Sequence, residues 1–111
     1  MKFSQKTREA VVERAKGNCE ICGKAVGDPN IHHRRPRGMG GTKRVSTGSP
    51  ANALYLHAGC HAWVEVNRSA SIDMGYLIRQ KQEATEVAFL HHEGWMYLTD
   101  DGRYIEAEPI S

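Results

Sequence analysis

Apolar residues recur at helical spacing near the start of the chain. Between Lys6 and Lys16, Ala10, Val11 and Ala15 share one face with Phe3 just upstream, and Gly17-Asn18 follows as a stop signal. Asn30 to Arg35 and Ala53 to Leu56 read as short strands, joined by a glycine-containing loop from Pro36 to Pro50. From His61 the apolar positions Ala62, Val66 and Ala70 repeat every four residues, which predicts a helix lasting to about Met74-Gly75. Trp95 to Thr99 and Arg103 to Ile105 flank Asp100-Asp101-Gly102, a hairpin signal. The order helix, strand, strand, helix, hairpin predicts an α+β chain.

A length of 111 residues with 40% hydrophobic content suits one domain with a modest core. No run approaches the roughly 18 apolar residues of a membrane span, and the first residues carry no apolar secretory stretch. The expectation is a cytoplasmic protein with no membrane partner. Charge adds more when followed along the chain. Pro29 to Val64 contains no acid and five cations, Arg34, Arg35, Arg37, Lys43 and Arg44, although the whole chain is only +2. A basic stretch of this kind is built to meet a polyanion, and all five residues are candidates for phosphate contact.

Three cysteines, an odd number, in a chain read as intracellular argue for metal ligation or burial over disulfides. Cys19 and Cys22 form a CxxC knuckle, and His57 with Cys60 forms HxxC. Four such ligands suit a closed tetrahedral zinc site. His61 is an alternative fourth ligand, but neighbouring residues rarely point at one ion, which favours His57.

The segment NIHHRRPRGMGG, followed by Asn52 and by Cys60-His61, resembles the HNH endonuclease family, especially its small phage-encoded members. The likeness runs from about Arg8 to Arg68 and rests on the order CxxC, HH, N, xxCH. It implies a single HNH domain over 1–111, with a ββα-metal core at about 8–75 and an acidic C-terminal hairpin extension at about 83–111. It also implies a metal-dependent hydrolase that cuts DNA phosphodiester bonds. His32 would bind a catalytic divalent ion such as Mg²⁺, Mn²⁺ or Ni²⁺, His61 would be its second ligand, and His33 would be the general base. Asn52 would hydrogen-bond across the hairpin and hold the base in place. A phage origin would place the protein in the bacterial host cell, beside the DNA-packaging terminase.

Residue chemistry agrees with these roles. Hydrolysis needs a base, and an unperturbed imidazole titrates near pH 6.5. Glu65 lies four residues after His61, on the same helical face, where it can add a carboxylate to the ion, hold a water, or simply face solvent. Trp63 reads as core packing. His91 and His92 read as a surface pair, with a stray metal site as the other option. The rival function is a non-catalytic, zinc-dependent DNA-binding module that uses the basic loop as a clamp.

Overall fold

The computed structural model describes residues 3–35 and 48–107. Helix α1 spans Gln5–Ala15, opened by Ser4, whose hydroxyl accepts the Thr7 amide, and closed by Lys16 in the left-handed conformation at φ 55°. Strands β1 (Asn30–His33) and β2 (Ala53–Leu56) pair antiparallel, with His32 opposite Leu54 and His33 opposite Ala53. Helix α2 covers Ala58–Val66 and helix α3 Arg68–Asp73. Strands β3 (Phe89–His91), β4 (Gly94–Leu98) and β5 (Tyr104–Glu106) form a second antiparallel sheet in that order. The protein is thus α+β, with three helices and two antiparallel sheets among the described residues.

Every residue of β2 is buried because both of its faces are covered. Ala53 and Tyr55 pack with Phe3, Val11 and Ala15 on the α1 side. Leu54 and Leu56 pack on the other side with Val64 of α2 and with Tyr76, Leu77, Ile78, Phe89 and Leu98. A strand inserted between two apolar layers shows no alternation of hydrophobic and polar residues, which is how ALYL reads. The chain beyond residue 75 therefore shares the main core. It is no appendage to a core ending there.

The expected single helix from His61 to Met74 is two helices. His57, in extended conformation, caps α2 by accepting the Gly59 amide at Nδ1, so the helix starts at Ala58, three residues early. At Asn67 the backbone leaves helical values, with φ −106° and ψ 60°. The face actually buried carries Val64 and Ser71, so the four-residue repeat through Ala62 and Val66 marks an outward face, and Val66 is 81% exposed. Trp63 is likewise 42% exposed and is not core packing. Strand β3 was not foreseen; it adds to the expected hairpin through pairs such as Leu90 with Trp95.

Two of the five candidate phosphate contacts are corrected by the fold. Arg34 is wholly buried: its Nε donates to the Gly75 carbonyl, NH1 to those of Ala51 and Ala84, and NH2 to that of Val87. Its guanidinium also lies 5.7 Å from the Phe89 ring centroid. Arg35 is buried too, donating to the Gln82 carbonyl and approaching the Glu83 carboxylate at 3.8 Å. Both arginines stitch β1 to the chain beyond α3, and their charge does not reach solvent. Arg37, Lys43 and Arg44 lie outside the described residues.

The approach of that later chain depends on Gly75. Its φ is +79°, and a Cβ there would sit 2.0 Å from the Ala88 carbonyl oxygen, so no other residue fits. Among the described residues no helix is long and apolar enough to cross a membrane.

Replacing Arg34 by methionine keeps the volume but strands four carbonyls, three of them in buried hydrogen bonds. Each buried polar group left unsatisfied costs about 1–3 kcal/mol. Denaturant unfolding of Arg34→Met should show a loss of about 3 kcal/mol or more; a change in DNA affinity with unaltered stability would contradict the interior role.

Candidate metal centre and adjoining histidine pocket

The Cys19–Cys22 turn follows α1, and its position is set by one of the two residues between the thiols. Glu20 is fully buried and receives both Nε and NH2 of Arg14, at 2.9 and 2.8 Å, the Tyr55 amide at 2.8 Å, and the Tyr104 hydroxyl. Arg14 in turn donates to the carbonyls of Pro50 and Ala53. This buried ion pair ties the first knuckle to α1, β2 and β5. Removing one partner of such a pair costs far more than the pair contributes, because the other charge is left without compensation.

The second knuckle comes from the start of α2, which carries His57 and Cys60 to the same place. Ligand atoms of Cys19, Cys22, His57 and Cys60 all lie within 4.8 Å of one another, and the four residues can hold a metal such as zinc. For comparison, two sulfurs each about 2.3 Å from a tetrahedral ion are about 3.8 Å apart. The His57 ring lies over Gly59, where a Cβ would approach Cε1 to 2.6 Å and push the ring aside. Burial pushes the Cys19 thiol up, but hydrogen bonds with the backbone of Cys22, His57 and Ile21 outweigh it and hold the thiol below its ordinary value. Cys60 is pushed up, first by burial and then by the charge of Cys19 and Cys22. Thiolates crowded in this way repel one another until a cation joins them, which is the electrostatic sign of a metal site.

His61 belongs to a different group. It lines a pocket of about 240 Å³ with Ile31, His32, His33, Glu65, Arg68 and Leu77. Glu65 Oε1 stands 3.7 Å from His32 Nδ1 and 3.6 Å from His61 Nε2, too long for hydrogen bonds. Two ligand atoms each about 2.1 Å from one ion at the tetrahedral angle are separated by about 3.4 Å. His32, His61 and Glu65 are thus spaced to receive a cation. The other ring nitrogen of His32, Nε2, is 2.8 Å from the Tyr76 carbonyl, which fixes the proton there and leaves the Nδ1 lone pair facing the pocket.

Burial draws the His32 pKa down to about 4, so its ring is neutral at pH 7. His33 is lowered by burial as well. Its ring stacks on Phe3 with centroids 3.9 Å apart and planes 14° from parallel. Stacking on one face fixes the plane of the imidazole while the ring stays on the pocket wall. Asn52 is fully buried at the far end of the hairpin; its Oδ1 accepts the Arg35 amide at 2.8 Å and its carbonyl accepts the Arg34 amide at 2.8 Å. The asparagine therefore locks the end of β1 that carries His32 and His33.

His91 departs from the surface pair expected for His91 and His92, while the other option, a metal site, fits their spacing: ligand atoms of His91, His92 and Glu93 lie within 4.8 Å of one another. His91 is buried, with Nδ1 accepting the Glu93 amide and Nε2 against the Tyr104 hydroxyl, 3.2 Å away. Ile31 and Leu77, which line the pocket, were not read as site residues from the sequence, nor were three groups that act on it. The carbonyl of Tyr76 acts through backbone and leaves no side-chain signature; Phe3 was read only as a core residue; Arg68 follows Glu65 at i+3, a spacing that does mark it.

The chain matches no protein-family model, no curated protein and no solved structure.

Protein purified without chelator should retain about one metal ion per chain after mild EDTA treatment, since thiolate sites release ions slowly. Metal analysis of Cys19→Ser and Cys60→Ser should show that ion lost, with a lower Tm. A second expectation concerns protonation without added divalent ions. The unfolded imidazole binds its proton near pH 6.5, whereas folded His32 does so only near 4, so acidification through that window favours the unfolded chain. In an NMR titration the His32 ring should stay neutral from pH 8 to 5; a midpoint near 6.5 would show that it is not buried as described.

Proposed function

We propose that the protein is a metal-dependent DNA endonuclease of the HNH type, with β1, β2 and α2 forming a ββα-metal core and zinc on Cys19, Cys22, His57 and Cys60. The observation that carries this reading is the convergence of His32 Nδ1, His61 Nε2 and the Glu65 carboxylate beside a stacked, neutral His33 in one open pocket. A structural knuckle alone needs no second, more open histidine and carboxylate cluster next to it. The clamp alternative is weakened, because Arg34 and Arg35 are interior residues and only Arg37, Lys43 and Arg44 of the basic stretch are left for it.

His32, His61 and Glu65 would hold the catalytic divalent ion. When bound, that ion supplies positive charge to neutralise the phosphate as negative charge builds in the transition state. His33 accepts a proton from the attacking water as its oxygen bonds to phosphorus; the bond to the 3′ oxygen breaks, and that oxygen takes up a proton from solvent water. Burial keeps His33 neutral at pH 7, the state in which it can accept. Phe3 keeps the ring plane fixed, and Asn52 keeps the strand end from shifting. The zinc knuckles hold the start of α2, and hence His61, against β1.

Incubating the protein with plasmid DNA and Mg²⁺, Mn²⁺ or Ni²⁺ tests the reading directly. His33→Ala should lower the cleavage rate by about 10²–10⁴-fold with DNA binding and Tm largely retained, as expected for loss of a general base. Cleavage at the parent rate would remove His33 from the mechanism. Absence of cleavage by the parent with all three metals would favour a binding module.

A further inference from the structure

Arg68 opens α3 at the edge of the histidine pocket and is the one lysine or arginine among the residues that line it. Its side chain is 56% exposed, in contrast to the interior guanidinium groups of Arg34 and Arg35. NH1 stands 3.4 Å from Glu65 Oε2, while the other oxygen of that carboxylate faces His32 and His61. One carboxylate therefore spans the candidate metal ligands and the guanidinium. An exposed ion pair at i,i+3 contributes little to stability. What it does is orient: it turns the arginine toward the pocket while NH2 and Nε have no partner among the described residues.

We infer that Arg68 is a substrate-binding residue that contacts the nonbridging oxygens of the DNA phosphate held in this pocket, an inference that rests on the nuclease reading above. The planar guanidinium fork matches two phosphate oxygens. His33 and the cluster of His32, His61 and Glu65 occupy the same pocket, so a phosphate placed between them lies beside Arg68. Arg68 thereby supplies the phosphate contact that the sequence suggested for Arg34 and Arg35.

The test compares the parent, Arg68→Ala, Arg68→Lys and His33→Ala, each checked by thermal melting. Duplex DNA binding is measured by anisotropy in EDTA across a salt series, and single-turnover cleavage across Mn²⁺ concentrations. Arg68→Ala should weaken binding and flatten the plot of log affinity against log salt by up to about 0.9, the slope of one phosphate contact. Its cleavage rate at saturating DNA and Mn²⁺ should fall about 10–100-fold, the loss expected for a charge-assisted hydrogen bond. Arg68→Lys should keep the salt slope yet cut slowly, because the point charge remains and the fork is gone. Unchanged slope and rate in Arg68→Ala, with His33→Ala inactive, would overturn the inference and leave the nuclease reading standing. A rate defect that disappears at high Mn²⁺ would also overturn it, showing that Arg68 acts only through Glu65. If the parent cuts nothing, the nuclease reading fails, and the salt slope alone then decides whether Arg68 touches phosphate.

Discussion

Arg34 is the constraint on which the rest of the structure depends. A buried guanidinium must have its N–H groups met by acceptors, and four carbonyls meet them here: Ala51 before β2, Gly75 after α3, and Ala84 and Val87 before β3. The backbone of the same residue closes the arrangement, its amide donating to the Asn52 carbonyl and its carbonyl accepting the Ile78 amide. Three stretches far apart in sequence are thereby fixed around the residue that directly follows His32 and His33. The two histidines inherit their positions from that anchor, and Asn52 reinforces it through the Arg35 amide.

A second buried charge does the same work on the other side of the hairpin. Glu20 lies between the two cysteines of the first knuckle and is paired with Arg14 of α1. The metal cluster is consequently not an isolated staple. It is seated on an ion pair that also reaches β2 and, through Tyr104, β5. In a chain of 111 residues the apolar core is small, and charged anchors of this kind trade solvation for specificity of arrangement. The cost of leaving either charge unpaired makes alternative packings of α1 or of the knuckle unfavourable.

The thiolate cluster and the histidine pocket, two of the three candidate metal groups among the described residues, divide along the same lines. The thiolate cluster is set by knuckles at the ends of elements and is closed by four protein ligands. The histidine pocket offers three protein ligands and opens to solvent, with Glu65 half exposed. A closed set suits an ion that holds a fold, and an open set suits one that must admit water and substrate. The Tyr76 carbonyl, supplied by chain that turns back at Gly75, fixes the proton of His32 and so joins the pocket to the core beneath it. This is why the region beyond α3, which looked like an appendage, belongs to the site.

The sequence alone determined the chemistry that depends on short spacing. CxxC and HxxC each place two ligands within one turn, and a histidine pair at a strand end, or His61 and Glu65 one helical turn apart, reads the same way in any packing. The structure brings together the residues these spacings named: Cys19 with Cys22, His57 and Cys60, and His32 with His61 and Glu65. Tertiary structure decided what spacing cannot express. An arginine in a basic run looks alike whether water or carbonyls surround it, and only the folded chain, with Ala51 and the return of residues 75–87, placed carbonyls around Arg34 and Arg35. The apolar repeat through Ala62 and Val66 predicted the wrong buried face because the partner layer, formed by residues distant in sequence, covers Val64 and Ser71 instead. Backbone groups such as the Tyr76 carbonyl carry no residue signature at all; their role exists only once the chain has folded and brought them within hydrogen-bonding distance.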